Sequence, residues 1–81
     1  MDVLYFAWVR ERIGQPKDKV ETEAATVREL VDELRAREDR YEAAFADLDA
    51  LRVAVDQELT DFDASLDGAR EVAFFPPMTG G

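Results

Sequence analysis

The 81-residue chain contains neither histidine nor cysteine. That removes the commonest general base, the thiolate nucleophile and the usual transition-metal ligands together. What is left for chemistry is carboxylate: 19 Asp and Glu side chains and the α-carboxyl group of Gly81. Asp61, Asp63 and Ser65 stand at alternate positions, as at the start of a calcium loop. However, Leu66 occupies the place that needs glycine, and Val72 the place that needs a bidentate glutamate. Ser65 is the only serine, and "SLDG" reads as a turn in which Asp67-Gly68 tolerates positive φ. Without a predicted cleft, no pair of acids separates itself from an acidic surface as an acid/base couple. Gly80 and Gly81 follow a predicted strand and open no helix, so they form no phosphate loop. Intrinsic catalysis is not expected.

The segment with chemical character is "FFPPMTGG", Phe74 to Gly81. A polar Gly-Gly tail would read as a frayed end. Here Phe74 and Phe75 tie the segment to a sheet, Pro76 and Pro77 hold it extended, and Met78 adds adaptable apolar surface. Extended, the residues from Pro76 through Thr79 and Gly80 to Gly81 span roughly 20 Å, enough to reach into another protein's active site. A carboxylate on Gly81 would react there without obstruction by a Cβ, and a tail without side chains at its tip fits a narrow channel.

The elements that must present this tail follow from the apolar pattern. At 47% apolar and 36% charged, a chain of this length supplies one small core and enough charge to stay in solution. "VLYFAWV" lacks polar alternation and reads as a strand covered on both faces, with "RERIG" a helical turn closed by Gly14. "QPKDK" reads as turn material leading to a short second strand over Lys19 to Glu23. Thr26 with Glu29 forms a capping box, and Val27, Leu30, Val31 and Leu34 make one stripe of the main helix. A second box, Asp39 with Glu42, opens a shorter helix carrying Tyr41, Ala44 and Phe45, which "DLD" ends. Leu51, Val53 and Val55 alternate with Arg52 and Ala54 in a strand exposed on one face; "DQ" turns into a short strand around Leu59. "EVAFF" is apolar on both faces, as the first strand is. Two such strands at opposite ends of the chain belong side by side, parallel, in the middle of the sheet.

The expected fold is therefore α+β: a ubiquitin-like β-grasp with a mixed sheet of about five strands and one main helix packed on one face. Residues 1–75 form the domain and 76–81 the extended tail. A net charge of −9 makes nucleic acid an improbable partner, because phosphate is repelled. The acids from Asp56 to Glu71 read either as a solvated face or as a steering field toward a basic partner. No run approaches membrane-spanning length, and the apolar opening follows Asp2 rather than a basic region, so no membrane is implied and the default location is cytoplasmic.

Four segments, "VLYFAWVRERIG", "TVREL", "VAVDQEL" and "DGAREVAFFPPMTGG", together resemble the small sulfur-carrier subunits of molybdopterin synthase, ubiquitin-like β-grasp proteins. The closing segment is the most specific; residues 36–50 match no motif of that family. The resemblance implies that an adenylating, E1-like enzyme uses ATP to convert the Gly81 carboxylate to an acyl-adenylate, and that sulfur replaces AMP to leave a thiocarboxylate. It implies docking to the large synthase subunit in a heterotetramer, with sulfur delivered to cyclic pyranopterin monophosphate for the molybdopterin dithiolene. Two loaded carriers serve each product. No cofactor is expected on this chain, and the catalytic side chains would belong to the large subunit. Phe75 leads into the tail, and Phe6 and Leu59, on predicted strands, would border the docking patch; Phe6 alternatively reads as a core residue. A thiamine-synthesis sulfur carrier and a protein modifier conjugated through Gly81 are the alternatives, and the former matches these segments less well.

Overall fold

In the computed structural model residues 1–77 are described. Met78, Thr79, Gly80 and Gly81 lie outside them. The order of elements is β1 (Asp2–Tyr5), α1 (Ala7–Ile13), β2 (Lys17–Lys19), α2 (Val27–Arg35), α3 (Asp39–Ala44), a 3₁₀ turn (Leu48–Ala50), β3 (Arg52–Val55), β4 (Glu58–Thr60) and β5 (Glu71–Phe75). The sheet runs β2-β1-β5-β3-β4. The terminal strands β1 and β5 are parallel neighbours, Val3 opposite Val72 and Tyr5 opposite Phe74, while the other pairings are antiparallel. This is the predicted mixed sheet with its first and last strands inside.

The main helix forms for the reasons legible in its sequence. Thr26 Oγ1 accepts from the Glu29 N–H at 3.2 Å, a cap of the kind that contributes about 1 kcal/mol. Val27, Leu30, Val31 and Leu34 are fully buried, and each such side chain gains about 2 kcal/mol by leaving water. In the β3–β4 hairpin, Asp56 and Gln57 both take positive φ (49° and 70°), the twist that a two-residue loop between antiparallel strands demands. Asp56 also accepts from the Arg70 and Glu71 N–H groups at 2.9 and 3.0 Å, tying this turn to the start of β5.

Three expectations are corrected. "VLYFAWV" is not one strand: β1 stops at Tyr5, Ala7 turns with φ 53°, and residues 7–13 form α1. Val9 and Ile13, four apart, are the buried pair that makes helix the better solution, and Gly14 (φ 93°) ends it as predicted. The second strand is Lys17–Lys19 rather than Lys19 to Glu23; its register opposite Asp2 to Leu4 places Val20 beyond the strand but inside the core. Asp39 does not cap α3. Glu38 stands at that position without a side-chain bond, and Glu42 is drawn instead into a bidentate pair with Arg35 (2.8 and 2.9 Å).

Both tyrosine hydroxyls of the core, Tyr5 and Tyr41, donate to Asp18 Oδ2 on β2, at 2.8 and 2.6 Å. Burial, and then the bond to Asp18, holds both phenols above the ordinary tyrosine range. The unfolded chain, whose tyrosines ionise near pH ~10, then loses protons that the folded chain keeps. Stability is therefore complete below about pH 10 and falls as pH rises past it. Urea midpoints between pH 7 and 11 should show a plateau and then a decline, with a shallower decline for Tyr5→Phe.

Candidate functional site

All three helices contact one another or the core, and the sheet's inward face carries Val3, Tyr5, Val53, Val72 and Phe74. Side chains alternate along a strand, so the residues between these point to the opposite face. Strand register then assembles that face from distant sequence. Leu4, Ala73, Ala54 and Leu59 lie opposite one another in a row across β1, β5, β3 and β4. In the next row Phe75 of β5 pairs with Arg52 of β3. Phe6 follows Tyr5 in extended conformation, and its N–H donates to the Phe74 carbonyl at 3.1 Å, so it continues the same side of β1 as Leu4.

Phe6 is 46% exposed and Leu59 72%, the large hydrophobic residues left open to water among those described. The core reading of Phe6 is excluded: Val3 and Tyr5 take the inward side of β1, so alternation sets Phe6 on the outward side with Leu4. Leu4, Ala54, Phe75, Pro76 and Pro77 are half-buried, and Ala73 is nearly covered. The face is thus an apolar strip floored by two alanines, rimmed by Phe6, Phe75 and Leu59, and continuous with the two prolines that leave β5. Sequence reasoning named the three rim residues and missed Leu4, Ala54, Ala73 and Arg52. The outward position of Arg52 was legible in "LRVAV"; its place beside Phe75 was not, because 23 residues separate the two positions.

Around this strip the charge is mixed: Lys17 of β2 lies opposite Leu4 and Lys19 opposite Asp2 on the same face, while the acids near β4 are not all free surface. Asp56 closes the hairpin, Asp61 accepts from the Asp63 N–H at 2.9 Å, and Asp63 pairs with Arg28 at 3.1 Å. Those acids serve local structure, whereas Glu58 and Asp67 are simply exposed. A cleft of about 310 Å³ opens on the helix side of the sheet near β4, lined by Arg28, Leu48, Leu51, Arg52, Thr60 and Phe62 among others. A larger one, about 500 Å³, lies between the segment after β2 and α2; it holds Glu21, Glu23 and Glu33 with Arg37.

Nothing among the described residues forms a catalytic constellation. No group of three or more carboxylates is placed to hold a metal. Tyr5 and Tyr41, the shifted acids, are engaged as donors to Asp18, and Asp18 also receives the Gln15 amide, so this cluster cross-links β2, β1 and α3. No helix of the described residues is long and apolar enough to cross a membrane. The structure offers an exposed apolar face on the outward side of the sheet, continuous with Pro76 and Pro77.

The sequence profile of the ThiS family matches residues 3–81. The molybdopterin synthase sulfur carrier subunit of Escherichia coli (strain K12) is 44% identical over 79 residues, covering 98% of this chain and 96% of that protein. The chain belongs to the ThiS family. The molybdopterin synthase sulfur carrier subunit of Haemophilus influenzae is 35% identical, covering 100% of this chain and 99% of the relative. SAMP1 from Haloferax volcanii superposes with a TM-score of 0.78 at 28% identity, covering 100% of this chain and 98% of that one. The β-grasp architecture is therefore shared with a solved structure along the whole chain.

Proposed function

We infer that the chain is the sulfur-carrying subunit of a molybdopterin synthase in molybdenum cofactor biosynthesis, and that Gly81 is the atom-bearing residue. The single observation that carries this is end-to-end identity with the Escherichia coli sulfur carrier subunit. Geometry supports it: the apolar face of Phe6, Leu59 and Phe75 runs into Pro76 and Pro77, the segment from which the tail departs. In this reading residues 1–75 are a rigid handle and 76–81 the delivered arm. Phe75, Leu59 and Phe6 dock; Pro76, Pro77, Met78, Thr79 and Gly80 thread into the partner.

The chemistry at Gly81 proceeds in two transfers. A carboxylate is a poor electrophile, so an adenylating partner joins it to AMP from ATP and releases pyrophosphate. A sulfur nucleophile then displaces AMP and leaves a thiocarboxylate. The partner for delivery is the large synthase subunit, which supplies the catalytic side chains, and cyclic pyranopterin monophosphate is the acceptor. Placing all reactive chemistry on a terminal atom lets one small domain serve two enzymes in turn.

The test is the mass of the protein isolated from sulfur-replete cells. A gain equal to one oxygen exchanged for sulfur, mapped to Gly81, supports the carrier. Lysine-linked conjugates to other proteins, with no such gain, would replace it by the protein-modifier reading. Sulfur delivery to the thiamine precursor rather than the pterin would assign it to the thiamine route.

A further inference from the structure

We propose that Arg52 is a specificity residue of the docking face, and that the protein receiving the tail presents an aspartate or glutamate to it. The proposal rests on the docking reading above and adds the local chemistry of the partner. Arg52 stands beside Phe75 in register and two residues before Ala54, which itself lies opposite Leu59. A surface that covers both Phe75 and Leu59 therefore also covers Arg52. Its guanidinium is held by neutral acceptors alone: one nitrogen, Nη1, donates to the Asp49 carbonyl at 3.1 Å and to the Leu51 carbonyl at 2.7 Å. Among the described residues the ion pairs belong to Arg28, Arg35 and Arg40. Asp49 and Asp61 line the cleft next to Arg52, and neither bridges to it.

Those two carbonyl bonds fix the head of Arg52 and leave its charge uncompensated. A fixed cation covered by an apolar partner loses its water, and an unpaired charge in such a place costs several kcal/mol. The partner must supply the counter-charge, and the planar fork of arginine suits a carboxylate in two-point contact. The inference opposes what net charge alone predicts. A chain of −9 suits a basic partner, for which an arginine on the contact face is a defect unless a carboxylate meets it.

Binding of the full chain to the large synthase subunit, measured by titration calorimetry at physiological salt, decides the matter. Arg52→Glu should weaken binding at least tenfold although it makes the chain more acidic. Arg52→Lys should retain part of the affinity, and Arg70→Glu, at the far end of β5, should leave it unchanged or tighter. Replacing one partner carboxylate by lysine should restore binding to Arg52→Glu. Circular dichroism melts establish that each variant is folded. Wild-type or tighter binding of folded Arg52→Glu, while Leu59→Ala still weakens binding, overturns the role of Arg52 alone. Unchanged binding of both Leu59→Ala and Phe75→Ala overturns the docking face itself.

Discussion

Removing Gly81 is expected to abolish sulfur transfer while leaving the fold unchanged. In reconstitution with the large synthase subunit and the pterin precursor, thiocarboxylated full-length chain should yield product, and the Gly81-deleted chain only background, a loss of at least a hundredfold. The physical reason is reach. Residues delivered through a narrow channel place the reacting atom by chain length, and one residue spans about 3.5 Å, whereas productive attack needs the reacting atoms within about 3–3.5 Å of each other. A truncated tail also ends on a carboxylate that the adenylating enzyme meets out of register. Thermal melts of the two forms should coincide, because the core is complete within residues 3–74. Product from the deleted form at more than a few per cent of wild type would contradict the assignment of Gly81.

The second large effect is on stability, at Phe74→Ala. Phe74 is fully buried on β5, stacks on Tyr5 at 6.5 Å between ring centroids and on Phe62 at 6.4 Å, and meets the edge of Phe45 at 4.9 Å. Truncating such a residue costs about 3–5 kcal/mol through lost transfer energy and the cavity left behind. A domain of this size has a total stability of about 4–12 kcal/mol, so the variant should be close to unfolded at physiological temperature. Urea titration should show a large fall in midpoint with the slope retained. Phe75→Ala, one residue on and pointing to the open face, should cost far less stability and instead weaken docking by about 2 kcal/mol, as aromatic anchors do. The neighbouring phenylalanines should thus separate two duties of β5, Phe74 holding the core with one face and Phe75 meeting the proposed partner with the other.

This separation also explains what kind of domain suits a carrier. The parallel pairing of β1 with β5 puts the strand that leads to the tail inside the sheet, flanked by β1 and β3. Any pull on the tail is resisted by two ladders of hydrogen bonds at once. The helix-free face beside the exit is the proposed docking surface; on that proposal, docking of the domain and placement of its end are mechanically one event.

Some of this was determined by sequence alone. The absence of histidine and cysteine and the wording of "FFPPMTGG" carry the proposal that the chemistry is at Gly81, since they are statements about which side chains exist. The stripe of α2, its cap at Thr26, the hairpin at Asp56-Gln57 and the central pairing of the terminal strands were legible because each is written in residues a few positions apart, or in apolar runs covered on both sides. Tertiary structure decided the rest. "VLYFAWV" divides after Tyr5 with no glycine or proline to mark the place, because Val9 and Ile13 find the core only as a helix. Phe6, already on the outward side by alternation with Tyr5, is left there as the last extended residue before the helix. Arg52 meets Phe75, and Leu59 joins Ala54 and Ala73, only through strand register, a long-range property that one residue of slip would invert. The candidate reactive terminus was in the letters; the apolar face beside it exists only once the sheet has closed.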